Sequence, residues 1–173
     1  QTEKKIEYIN SLLKVGFDTI DFGSFVSPKA IPQMKDTGDV LKGLMLNAES
    51  AKLLAIVANM RGAEEASVFD EITYLGFPFS VSETFQQRNT NSSISESLGR
   101  VEQIQNLCIK TGKQLVIYIS MGFGNPYGDV YSEEIVFNWV NKLAAMDIKI
   151  ISLADTVGVA EPKQVYSMTK YLI

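Results

Sequence analysis

The chain has 173 residues, 46% of them hydrophobic and 21% charged, with a formal net charge of −4. That length suits one domain with a sizeable core, and the balance of apolar and charged residues excludes a disordered segment. The negative charge gives no electrostatic basis for binding nucleic acid or an anionic membrane, no apolar stretch is long enough to span a bilayer, and Gln1 to Lys5 lack the apolar core of a secretory signal.

In chain order, Ile6, Ile9 and Leu13 share one helical face over residues 3–14, and Gly16 stops that helix. Phe17 to Phe22 read as a strand. Residues 35–46 form a helical pattern around Val40, Leu41 and Leu44, leading to the apolar run Leu53–Val57. A short helix over 60–69 precedes a third strand, Glu71 to Phe77. Ser93 and Glu96 have the spacing of a capping box, in which each side chain satisfies the other's free backbone donor. Ile94, Leu98, Val101, Ile104 and Cys108 then recur every three or four residues. Leu115 to Ser120 is a nearly unbroken apolar strand of the kind buried on both faces of a parallel sheet. Ser132 caps a helix whose inner stripe is Ile135, Val136, Trp139, Val140 and Leu143. Ile148 to Leu153 makes a fifth strand, and Pro162 opens the last helix at a position that tolerates proline.

Five strands alternating with helices predict right-handed βαβ units and a parallel sheet over residues 1–173, undivided by any linker. The choice lies between an open doubly wound sheet and part of a (β/α)8 barrel. No strand is followed by Gly-x-Gly-x-x-Gly; Gly122-Phe123-Gly124 supplies only two of the glycines, which favours the barrel. The single cysteine, Cys108, cannot pair within the chain and lies in a helical pattern. It reads as a small apolar core residue, with a reducing cytoplasm as the default compartment.

Barrel sites form at the carboxyl ends of the strands. Polar groups recur there: Asp21 and Ser24; Asn59 and Arg61; Ser80; Ser120 with Asn125 and Tyr127; then Ser152, Asp155 and Thr156. Each taken singly suits a cap or a turn. Their recurrence at every strand end suits a polar, oxygen-rich substrate. The loop Ser24–Met34, with two prolines and a lysine, is too specialised for a simple connector.

Four segments carry a family likeness. Asp21-Phe22-Gly23-Ser24-Phe25-Val26-Ser27-Pro28-Lys29, with Pro32-Gln33-Met34, resembles the 3-hydroxy-3-methylglutaryl-CoA lyase motif Glu-x-x-Ser-Phe-Val-Ser-Pro-Lys followed by Pro-Gln-Met. Arg88 to Ile94 is similar to Lys-Asn-x-Asn-x-Ser-Ile. Tyr118-Ile119-Ser120, continuing to Gly124-Asn125-Pro126-Tyr127, resembles Tyr-Val-Ser and Gly-Cys-Pro-Tyr. Ile151 to Val159 resembles Ile-Ser-Leu-Gly-Asp-Thr-Ile-Gly-Val nearly throughout.

The resemblance implies a TIM barrel enzyme that uses Mg²⁺ or Mn²⁺. Such an enzyme cleaves 3-hydroxy-3-methylglutaryl-CoA to acetyl-CoA and acetoacetate, and homodimers are common in the family. Carried over by motif position, Asp21 is the acidic residue beside the catalytic centre, and Ser24, Ser152 and Thr156 bond substrate oxygens or shape the site. Asp155 orients these or a bound water, Arg61 and Asn89 lie on the acyl-CoA side, and Tyr118 lines the pocket. The departures are Asp21 for glutamate and Asn125 for cysteine. The chain also has no histidine, whereas the family places two metal-ligating histidines on its seventh strand. The metal ligands therefore fall outside this chain, which is expected to hold the second to sixth strands of a parent of about 280–300 residues, an ordinary size for this barrel. Alone it is expected to be inactive, with exposed sheet edges. A homocitrate or isopropylmalate synthase-like enzyme, or a barrel that has lost catalysis, are the alternatives.

Overall fold

The computed structural model describes residues 1–173. Five strands form one parallel sheet in the order β1 (Thr19–Ser24), β2 (Lys52–Ile56), β3 (Ile72–Ser80), β4 (Gln114–Ser120), β5 (Ile150–Leu153). Each is followed by helix: α2 (Thr37–Lys42) after β1, α3 (Met60–Ser67) after β2, α4 (Glu83–Thr90) and α5 (Ile94–Thr111) after β3, α6 (Glu133–Ala144) after β4 and α7 (Pro162–Leu172) after β5. Helix α1 (Thr2–Leu13) precedes β1. The predicted α/β architecture of an incomplete barrel with five parallel strands is thus present, and the sheet is open.

The chain gathers into two compact units, residues 1–76 with 106–114, and residues 77–105 with 115–173. In the first, Ile20 and Phe22 of β1, Leu53, Leu54 and Ala55 of β2, and Ile72 and Leu75 of β3 are buried. Val40, Leu41, Ala63 and Ala66 supply the buried helical faces. In the second, Phe77 and Phe79 are fully buried, as are Ile117 and Ile119 of β4, and Val136 and Leu143 of α6. Burial of successive residues Leu115, Val116 and Ile117 explains why β4 lacks the alternation of a half-exposed strand.

Helix boundaries follow local chemistry. Asn59, Ser82 and Ser132 cap α3, α4 and α6 by accepting from the N–H groups of Gly62, Phe85 and Ile135. The capping box forms as expected: Ser93 N–H donates to Glu96 at 2.7 Å, and Glu96 N–H donates to the Ser93 hydroxyl at 3.1 Å. Two differences have physical causes. The pattern over 35–46 condenses to the six residues of α2, which ends at Gly43, a residue that favours the helix less than any but proline. A separate helix, α4, precedes α5 and ends where Asn91 turns left-handed at φ 50°. Residues 83–90 carry no apolar stripe, so periodicity gave no sign of it.

Candidate functional site

In the first unit the site elements gather at the end of β1. The register of β1 against β2 shifts between Asp21 and Gly23, a bulge that re-aims the side chains beside it. Only glycine fits at 23, because a Cβ would come within 2.7 Å of Thr37 Cγ2. That close approach lets the buried Thr37 hydroxyl accept from Ser24 N–H at 3.2 Å and reach the carbonyls of Ser24 and Met34 at 2.9 and 2.8 Å. The loop Ser24–Met34 is thereby closed on its own stem. Lys5 of α1 holds it from the other side, donating to the Gln33 carbonyl and to Asp36, the latter at 2.5 Å.

Ser24, the last residue of β1, is buried. Its hydroxyl donates to the Ile56 carbonyl at 3.2 Å and accepts from Val26 N–H at 3.2 Å. Asp21 borders a groove of about 440 Å³ walled by Tyr8, Ile9, Leu12, Met34 and Ile56. One side of this carboxyl meets water, but the apolar surroundings remove enough hydration to push its pKa up to about 6. At neutral pH it is mostly ionised and can accept a proton. Arg61 lies in the first turn of α3, paired with Glu65 at 2.6 Å and half exposed. Such a pair contributes only about 0.5 kcal/mol, so it opposes recruitment by a stronger anion only weakly.

In the second unit Tyr118 and Ser152 are register partners on adjacent parallel strands, which sets their side chains on one face of the sheet. Ser152 makes no hydrogen bond through its hydroxyl to the protein, leaving it available to a ligand. Thr156 is engaged: its hydroxyl accepts from Met121 N–H at 2.8 Å, where Met121 sits left-handed at φ 58°. Asp155 accepts from Val159 N–H and Ala160 N–H at 2.9 and 3.1 Å, which shapes the turn into α7. Asn89 is exposed in the last turn of α4. The structure therefore gathers Asp21 with Ser24 in one unit, and Tyr118 with Ser152, Asp155 and Thr156 in the other.

The donor set does not make a metal centre from these residues. There is no histidine, Cys108 is buried with its thiol pushed up to about 11 by loss of hydration, and no three acidic or cysteine side chains come together.

The HMGL-like family matches residues 1–173, the whole chain. The chain belongs to the HMGL-like family. A hydroxymethylglutaryl-CoA lyase of Bacillus subtilis is 35% identical over 175 residues, covering 99% of this chain and 57% of its own length. A crystal structure of the Bacillus subtilis HMG-CoA lyase superposes with a TM-score of 0.92 at 37% identity, over 99% of this chain and 57% of that one. The HMG-CoA lyase of Acinetobacter baumannii, in complex with coenzyme A and 3-methylmalate, gives a TM-score of 0.92 at 31% identity, over 99% and 55%. This chain thus spans little more than half the length of such relatives. Mammalian relatives include forms named cytoplasmic and mitochondrial, so likeness alone assigns no compartment.

Three residues that shape these sites escaped sequence reasoning: Thr37, Asp129 and Arg88. Thr37 and Asp129 act on partners 13 and 45–47 residues away, and no local spacing encodes such bonds. Arg88 stands in a motif already singled out, and its aromatic partner Tyr127 in another; only the fold joins them.

Proposed function

We propose that the protein bearing this chain is a carbon–carbon lyase that cleaves 3-hydroxy-3-methylglutaryl-CoA to acetyl-CoA and acetoacetate. The observation that carries the reading is the likeness to hydroxymethylglutaryl-CoA lyases over nearly every residue, site loops included. In the reaction a base takes the proton of the tertiary hydroxyl, and the electron pair left by the broken O–H bond becomes the second C–O bond, giving the ketone of acetoacetate. The C–C bond breaks, and its electron pair moves into the thioester as the enolate of acetyl-CoA, which is then protonated.

Asp21 suits the proton-handling role because its pKa, raised to about 6, lies near the operating pH. Ser152 offers an unengaged hydroxyl to substrate oxygens. Ser24 and Thr156 hold the ends of β1 and β4 in shape through the bonds described, and Asp155 orders the turn behind them. Tyr118 shares its sheet face with Ser152 and lines the acyl pocket. Arg61 and Asn89 serve the CoA portion. A divalent cation, Mg²⁺ or Mn²⁺, polarises hydroxyl and carboxylate oxygens in such chemistry; its ligands are not among these residues. The test is the full-length protein with 3-hydroxy-3-methylglutaryl-CoA and Mg²⁺ or Mn²⁺. Release of acetoacetate is expected. Release of free CoA from acetyl-CoA and a 2-oxo acid, without acetoacetate formation, would instead identify a condensing synthase and overturn the reading.

A further inference from the structure

Helix α4 follows β3 on the side where strand carboxyl ends build sites, and one face of it packs on Tyr127. Phe85 and Arg88, three residues apart, share that face. Both meet Tyr127: the rings of Phe85 and Tyr127 lie 6.4 Å apart with 24° between their planes, and the Arg88 guanidinium sits 4.8 Å from the Tyr127 centroid. Tyr127 belongs to the loop after β4, which is built to hold this position. Asn125 accepts from Tyr127 N–H and Asp129 N–H at 3.0 and 3.1 Å, and its amide donates to the Asp129 carbonyl at 3.0 Å. The Asp129 carboxylate then fastens the loop to the start of α4. It accepts from the Ser82 hydroxyl at 2.5 Å, Thr84 N–H at 2.9 Å and the Thr84 hydroxyl at 2.8 Å.

Arg88 is the only one of the three arginines without a hydrogen-bond acceptor. Arg61 pairs with Glu65, and Arg100 donates to the Thr90 carbonyl. The carboxylates of this helix and loop are occupied by other partners, Asp129 as above and Glu83 by Ile94 N–H. An arginine on an aromatic face near a helix C-terminus can serve stability alone. That role does not call for a purpose-built loop, nor does it leave the guanidinium fork unspent. A fork fixed in advance against a ring loses little freedom when a phosphate binds it bidentately.

We infer that Arg88, seated on Tyr127 by the Asn125–Asp129 loop, binds a phosphate group of the acyl-CoA substrate, with Asp129 as the positioning residue. The inference rests on the function proposed above. Its test is calorimetric titration of the full-length protein with CoA, dephospho-CoA and pantetheine, for wild type, Arg88→Ala, Arg88→Lys, Asp129→Asn and the Arg88→Ala/Asp129→Asn pair. Arg88→Ala is expected to weaken CoA about tenfold and leave pantetheine unchanged, with Arg88→Lys in between. Dephospho-CoA distinguishes the sources: sensitivity to Arg88→Ala marks the diphosphate, insensitivity the 3′-phosphate. Asp129→Asn should weaken CoA severalfold, and the double variant should bind no worse than Arg88→Ala, a coupling that a purely structural role would not produce. Equal CoA affinity in wild type and Arg88→Ala overturns the inference and leaves the lyase reading standing. A wild-type protein that binds neither CoA nor pantetheine overturns both.

Discussion

Two glycine-to-alanine substitutions, both within helices, should shift stability in opposite directions. Helix propensity alone predicts a gain of about 1 kcal/mol for each, since alanine restricts the unfolded chain and favours the helix. At Gly99, in α5, nothing lies within 4 Å of the new methyl, so Gly99→Ala should realise most of that gain. At Gly62, in the first turn of α3, the methyl would fall 2.4 Å from the Phe25 carbonyl oxygen and 3.3 Å from its carbon. Both are backbone atoms. Relief requires the chain at Phe25 to retreat, which strains its N–H bond to the Ile56 carbonyl at 2.8 Å and the Phe25–Phe69 ring contact at 5.7 Å. Overpacking of this kind costs about 1–3 kcal/mol, and a 2.4 Å approach to backbone atoms places it in the upper half of that range, about 2–3 kcal/mol. Set against the propensity gain, Gly62→Ala should lose about 1–2 kcal/mol, a fall in Tm of roughly 3–6 °C for a chain of this size. Urea denaturation of both variants at matched m-values measures the difference. If Gly62→Ala stabilised the protein as Gly99→Ala does, the close packing of α3 on the loop after β1 would be refuted.

Asp21 gives a pH signature. Its folded pKa of about 6 exceeds the ordinary 3.8, so the folded state holds the proton more tightly, and stability falls as pH rises from about 4 to 6. The full shift would amount to about 3 kcal/mol, but the carboxyl's exposed side screens it to about 1 kcal/mol. Asp21→Asn should thus melt higher than wild type at pH 7 and alike at pH 3.5, as thermal melts across that range will show; a constant difference would refute the assignment. Thr156→Val leaves Met121 N–H without its partner and should cost about 1–3 kcal/mol, whereas Thr156→Ser should retain most of the stability. Cys108 is buried and its thiol is pushed up to about 11, so a disulfide reagent at pH 8 should modify it only in denaturant, with rapid labelling of the native protein as the contrary result.

The fold was legible because its elements are locally consistent. Strand β4 is an apolar run, α6 carries its stripe behind a serine cap, and the capping box at Ser93 forms with the bonds its spacing predicts. Helix α4 was not legible. Residues Glu83-Thr84-Phe85-Gln86-Gln87-Arg88-Asn89-Thr90 show no helical stripe, and what holds the helix in place is polar and tertiary. The fully buried Gln86 accepts from Ser80 N–H at 2.7 Å and donates to Thr90 at 2.5 Å, while Asp129 caps the first turn. Hydrophobic period cannot register an element anchored by hydrogen bonds to residues before and long after it.

The strand-end serines show why the site was harder to read than the fold. Ser24 and Ser80 are the last residues of β1 and β3, and both are buried. Each donates its hydroxyl to the last carbonyl of another strand, Ile56 at 3.2 Å and Ser120 at 3.4 Å. Each also accepts from the N–H two residues on, Val26 at 3.2 Å and Ser82 at 2.9 Å. The repetition has a plain cause. The last carbonyl already accepts a backbone N–H, from Phe25 to Ile56 at 2.8 Å and from Val81 to Ser120 at 3.2 Å, and a short hydroxyl fills its second acceptor position while starting the turn. Serine recurring at strand ends is therefore accounted for by the sheet itself, whatever the chemistry nearby. Ser152 differs in this respect: its hydroxyl makes no such bond and stays unengaged, on the same sheet face as Tyr118. The distinction that matters among these residues is thus not which side chains are polar but which are already spoken for. By that measure Asp21, Asn89 and Ser152, with Arg88, are the residues among these whose side chains no protein hydrogen bond occupies.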